Sequence, residues 1–155
     1  MNKAPVLLTI ATLGSAALLL GAYGFQHIGG LLPCKMCLWQ RWPHGAAILV
    51  GLAILITGER SLAWLGAVAA GTTAAIGAYH AGVEWGFWPG PSSCSGNGAG
   101  LSGMDGASLL STDGPTTLIM CDEIVWQLAG LSMAGWNAVI SFALMILWIK
   151  AARRN

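Results

Sequence analysis

Four cysteines stand in this sequence of 155 residues, at positions 34, 37, 94 and 121. Cys34-Lys35-Met36-Cys37 is a Cys-x-x-Cys pair, a spacing that keeps two thiols close and commonly lowers the pKa of one. Lys35 between them and Arg41 four residues on would favour the thiolate, which is the reactive form in disulfide exchange. The second pair, Cys94 and Cys121, is separated by the 26 residues 95–120. Two pairs of thiols suggest two disulfides that can exchange, but two other uses stay open. Structural zinc sites usually combine two short-spaced motifs, and only one is present here, so no metal is expected. A purely structural second disulfide would stabilise the chain by roughly 3–4 kcal/mol in the loop-entropy model.

The elements that must position these thiols are written in the hydropathy. Hydrophobic residues make up 55% of the chain and charged residues 8%, about a third of the usual charged share. Crossing the hydrocarbon core takes about 20 apolar residues, and the sequence predicts an all-α fold of four spans in one domain: about 5–25, 42–57, 62–83 and 131–149. The first span would be about 31 Å long, and it is longer than the apolar region of a cleaved signal peptide. Gly29, Gly30 and Pro33 keep the first loop irregular, and Pro43 suits an early position of the second helix. Gly66, Ala70, Ala74 and Ala78 recur every four residues, a small-residue stripe that lets helices approach closely in lipid. Between the third and fourth spans, residues 92–108 are dominated by Gly and Ser and predict a flexible stretch. Residues 118–128 mix apolar and acidic side chains and suit a short interfacial helix.

Net charge is only +1, which gives no basic field and no case for nucleic acid. The distribution of charge says more. Lys3, Arg60, Lys150, Arg153 and Arg154 fall on one side of the spans, against Lys35 and Arg41 on the other. An excess of basic residues marks the cytoplasmic face. Both termini are then cytoplasmic, and all four cysteines lie in two outer loops, about 26–41 and 84–130. Trp39, Trp42, Trp85, Trp88 and Trp126 gather near that outer boundary as belt anchors. His27, His44 and His80 read as interfacial residues there, with His80 one helical turn before Glu84. Arg41 either snorkels to the interface or binds the polar head of an electron acceptor.

The run Cys34-Lys35-Met36-Cys37-Leu38-Trp39-Gln40-Arg41-Trp42-Pro43, the lone Cys94 after the third span, and the run from Cys121 through Trp126, Gly130, Met133 and Trp136 to Asn137 resemble the disulfide bond formation protein B (DsbB) family. The resemblance covers nearly the whole chain, although Lys35 puts a charge where members often carry apolar residues or proline. It implies a quinone-dependent disulfide oxidase of the bacterial inner membrane, with Cys34, Cys37, Cys94 and Cys121 catalytic. A periplasmic DsbA-like protein of the thioredoxin fold would attack a Cys94–Cys121 disulfide at Cys94. Cys121 would then attack Cys34, and Cys37 would donate to a quinone near Arg41, with ubiquinone favoured over menaquinone. The family also carries a histidine near its quinone, for which His80 is the candidate here. The alternatives are a paralogue dedicated to one partner, or a non-catalytic membrane subunit with structural disulfides.

Overall fold

An uncharged run with no proline after its first turn forms the first helix, α1, Ala4–His27. The computed structural model describes residues 4–91 and 120–153. The Gly/Ser-rich stretch 92–108, Cys94, and residues 118–119 lie outside those described residues, as do Lys3 and Arg154. Helix α2 spans Lys35–Thr57, a 3-10 turn covers Arg60–Leu62, α3 spans Ala63–Glu84, and α4 spans Met133–Ala152. Three of these segments, Ala4–His27, Arg60–Glu84 and Met133–Ala152, are long and apolar enough to cross a membrane. Helix α2 carries Lys35, Gln40, Arg41 and His44 in its first ten positions, which lowers its hydropathy.

Helix α2 begins at Lys35 rather than Trp42, because Cys34 serves as its N-cap. The Cys34 sulfur accepts the Cys37 N–H at 3.2 Å, satisfying one of the donors that a helix start leaves open. The Cys-x-x-Cys pair therefore occupies a helix cap and first turn. Pro43 consequently falls inside the helix, where it removes one i→i−4 donor. At the other end Gly58 closes α2 in the left-handed region, φ 72°, with its N–H on the Ile54 carbonyl.

The expected interfacial helix is absent from the described part of 118–128. Residues 120–126 form turns and irregular backbone, and Gln127–Leu128 pairs antiparallel with Leu131–Ser132. Ala129 and Gly130 both have positive φ, 51° and 81°. Two such residues make the hairpin turn whose twist matches its strands, and a right-handed helix cannot pass through them. Trp136 Nε1 donates to the Leu128 carbonyl at 2.9 Å and ties the hairpin to α4. Ser132 then caps α4, accepting the Gly135 N–H at 3.1 Å and donating to the Glu84 carboxylate.

Each helix packs against two others: α3 against α4 and α2, α1 against α4 and α2. Along this array three buried layers follow one another. An apolar layer of Leu8, Ile54, Ala67, Ala70, Leu144 and Trp148 lies towards the 3-10 turn. A polar layer of Gln40, His44, Thr73, Asn137 and Ser141 is linked by hydrogen bonds. A sulfur-rich layer of Cys34, Met36, Val83 and Cys121 follows at the far end. The small-residue stripe holds for Gly66, Ala70 and Ala74, which are buried, but Ala78 is exposed and Gly77 is buried instead. A strict four-residue repeat drifts around a helix of 3.6 residues per turn, and by the fourth repeat the contact has passed to Gly77.

A Cβ at Gly66 would lie 2.6 Å from the Trp148 ring, whereas one at Gly45 would meet nothing within 4 Å. Gly66→Ala should therefore cost about 1–3 kcal/mol through overpacking. Gly45→Ala should be neutral or stabilise by about 0.5–1 kcal/mol through backbone entropy. Denaturation in detergent checks the pair, and equal melting of the two variants would contradict this packing.

Candidate functional site

Where α2 starts and α3 ends, cysteines from two separate segments pack into one buried cluster. Cys34 and Cys37 are free thiols whose sulfurs share a hydrogen bond at 2.9 Å. Cys121 is disulfide-bonded and fully buried, packed in one cluster with Cys34. The proposed partner of Cys121, Cys94, lies outside the described residues. His80 of α3 brings its Nε2 to 3.5 Å from the Cys34 sulfur and 3.9 Å from Glu84. The pairing of His80 with Glu84 read from their spacing is present.

Hydrogen bonding fixes which atom of each side chain donates. The Gln40 amide nitrogen faces the Met36 carbonyl at 3.2 Å, so this end of the amide must be the N–H end. The same nitrogen is 3.0 Å from His80 Nδ1, which must therefore be the ring's lone-pair nitrogen. A neutral His80 then carries its proton on Nε2, the nitrogen facing Cys34. In the other direction Gln40 Oε1 accepts from Asn137 Nδ2 at 2.7 Å. Asn137 Oδ1 thus accepts from His44 Nε2 at 2.9 Å. One backbone carbonyl sets both histidine tautomers: His80 donates towards sulfur, and His44 keeps its lone pair on Nδ1.

A cysteine at a helix N-cap receives backbone N–H groups and the positive end of the helix dipole, both of which favour thiolate. The Cys34 thiol is lowered from 9.0 to about 4, chiefly by the hydrogen bond from Cys37; burial opposes the shift and His80 reinforces it. Lys35 and Arg41, expected to favour the thiolate, take no part. The Lys35 ammonium lies 6.0 Å over the Trp39 ring. The Arg41 guanidinium is turned onto α1, donating to Gln26 Oε1 at 2.6 Å and sitting 4.8 Å over the Tyr23 ring.

A cavity of about 400 Å³ opens against these groups. Cys34, Cys37, Arg41, His44 and His80 all line it, and apolar side chains of α1 and α4, such as Leu18 and Ile140, form its walls. Arg41 Nε is buried without a hydrogen-bond partner among the described residues. Both residues singled out as acceptor-binding, Arg41 and His80, therefore sit on one cavity with the Cys-x-x-Cys pair. His44 is no interfacial residue: it is 3% exposed. Gln40, His44, Thr73 and Asn137 were missed as a set, although polar residues inside apolar helices mark functional sites by default.

Cys34, Cys37 and His80 also place three ligand-type atoms within 4.8 Å of one another. With Gln40 donating to Nδ1, His80 presents N–H rather than a lone pair to the sulfurs. The arrangement suits thiol chemistry better than metal binding.

Thiolate ultraviolet absorbance of the reduced protein should show Cys34 titrating near 4. Cys37→Ala should raise that midpoint more than His80→Phe, since the Cys37 bond is the larger cause. An ordinary thiol midpoint near 8.5 in the wild type would contradict the geometry. Because the folded thiol titrates below the unfolded one, its contribution to stability is complete above the unfolded value of 9.0 and is lost as pH falls through about 4.

The sequence model of the family described as "Disulfide bond formation protein DsbB" matches residues 4–151. Proteins named disulfide bond formation protein B are similar along their length. That of Verminephrobacter eiseniae is 34% identical over 151 residues, covering 93% of this chain and 82% of its own. That of Methylococcus capsulatus is 33% identical over 155 residues, covering 89% and 90%. That of Azoarcus sp. is 31% identical over 166 residues, covering 99% and 95%. No solved structure matches the chain. With three helices able to cross a membrane and a match over nearly its whole length, the chain is a multi-pass membrane protein that belongs to the DsbB family.

Proposed function

We propose that this protein is a thiol–quinone oxidoreductase that reoxidises a DsbA-like thioredoxin-fold protein and passes the electrons to a membrane quinone. One observation carries the reading: Cys34 and Cys37 line one apolar-walled cavity, and buried Cys121 packs in the same cluster as Cys34. Family membership supports the oxidative half, since its members are named for disulfide bond formation.

In this scheme all four helices span the bacterial inner membrane, with the termini cytoplasmic and the cysteines periplasmic. The donor's thiolate attacks Cys94 of a Cys94–Cys121 disulfide, and Cys121 leaves as thiolate. Cys121 then attacks Cys34 of an oxidised Cys34–Cys37 pair, forming a Cys34–Cys121 bond and releasing Cys37. Each step exchanges one sulfur–sulfur bond for another, so rate depends on the thiolate fraction and on the leaving sulfur's pKa. With Cys34 tied to Cys121, Cys37 is the remaining thiol of the pair at the cavity.

The residues at the cavity fit a quinone. Its walls are apolar, as a ring requires, and buried Arg41 Nε has a donor to give. A quinone bound there supplies a two-electron, two-proton acceptor and is regenerated within the lipid. Arg41 would orient its polar head, and His80 would hold its Nε2 proton beside the sulfurs.

Following quinone absorbance with a reduced DsbA-like donor tests the scheme. Cys37→Ser and Cys94→Ser should each stop turnover, and full activity in either would be incompatible with the relay. Arg41→Ala should weaken quinone use about tenfold or more, the scale of a lost charged hydrogen bond, while leaving exchange with the donor intact. Unchanged quinone kinetics would remove Arg41 from the site.

A further inference from the structure

His44 is the buried polar group at the cavity that this mechanism does not use. Its Nε2 donates to Asn137 Oδ1 at 2.9 Å. The neighbouring Thr73 hydroxyl, 3.3 Å from the same nitrogen, spends its own proton on the Gln40 carbonyl at 3.1 Å. Among the described residues, therefore, nothing donates to His44, and its Nδ1 is buried with no hydrogen-bond partner. A buried acceptor left unmet is costly, and His44 lines the cavity, so its vacant lone pair asks for a donor from whatever fills the cavity.

Position narrows the choice. Cys37, Arg41 and His44 stand at i, i+4 and i+7 on α2 and thus share one face. All three line the cavity, in the order thiol, guanidinium, imidazole. The guanidinium has only donors to offer, and these suit an oxygen whether it is a carbonyl or a hydroxyl. The Nδ1 lone pair accepts only from a hydroxyl. A quinone carries two carbonyl oxygens and no donor, whereas its hydroquinone carries two O–H groups.

We propose that His44 is a binding residue selective for the reduced acceptor, its Nδ1 accepting a hydrogen bond from one hydroxyl of the hydroquinone. The inference rests on the quinone reading given above and deepens it. Overall, two thiols and a quinone become a disulfide and a hydroquinone, so both hydroxyl protons originate as thiol protons. His44 needs to hold neither of them as its own. A group that binds the product form better than the starting form shifts the equilibrium towards reduction by that difference in affinity. His44 thus makes the cavity a stronger oxidising site than Arg41 alone would.

The test measures binding, not turnover. Fully oxidised protein in nanodiscs is titrated anaerobically with a short-chain ubiquinone and separately with its hydroquinone. His44→Phe should weaken hydroquinone binding about tenfold and quinone binding by less than about twofold, the selectivity expected of one neutral hydrogen bond. His44→Asn places an amide oxygen near the Nδ1 position and should recover most of the hydroquinone affinity. Equal losses for both forms, or no loss for either, would overturn the role of His44. Wild-type protein that bound neither form would instead bring down the quinone reading itself. Should the variants fail to fold, nitrogen NMR of wild-type histidines answers the same question. Nδ1 of His44 should resonate as an unprotonated nitrogen and move on adding hydroquinone but not quinone. A signal that ignores hydroquinone would refute the proposal.

Discussion

A thiolate at Cys34 sits in a buried place, and a buried anion is tolerable only among hydrogen-bond donors. Three donors converge there: the Cys37 thiol, the Cys37 backbone N–H and the His80 ring. The last of these exists only because Gln40 holds His80 in one tautomer, and Gln40 is itself oriented by the Met36 carbonyl. Much of the polar interior can be traced from that requirement. Asn137 must turn its amide towards Gln40, so its oxygen must face His44. Helices α2, α3 and α4 are thereby joined by a polar layer in which few groups could exchange roles without leaving another unpaired.

Such a layer is expensive in an apolar array, and its placement shows what it separates. On one side Trp148 fills the space against Gly66 in a layer of otherwise apolar side chains. On the other lie the sulfurs. Groups that would be interchangeable in water here have fixed donors and acceptors, because a buried group left unpaired is costly. The cavity borders this layer, so any molecule entering it meets a set of hydrogen-bonding groups already oriented.

The sequence made the helices legible because long uncharged runs have few other solutions in lipid. Three of the four predicted spans agree with their helices within a few residues. The start of α2 at Lys35 is not legible in the sequence, since a cysteine is not an ordinary N-cap residue and Pro43 resembles a helix start. The segment after Cys121 is not legible as a hairpin, because amphipathic composition does not reveal that Ala129 and Gly130 both take positive φ. At the site, the cysteines and Arg41 could be picked out by type and spacing. His44, Thr73 and Asn137 could not be joined from sequence, because their partners lie 29 to 93 residues apart. Lys35 illustrates the opposite error: nearness in sequence suggested an effect on the thiols, and its side chain points to Trp39 instead.

In the proposed mechanism, sulfurs of the two separate segments belong to one reacting centre beside α2. Trapping the bond between them tests this most directly. In a protein carrying Cys37→Ser and Cys94→Ser, mild oxidation should join Cys34 to Cys121 nearly quantitatively, visible as a crosslinked peptide after proteolysis. If those two cysteines stayed reduced, or paired only between molecules, the shared centre would not exist.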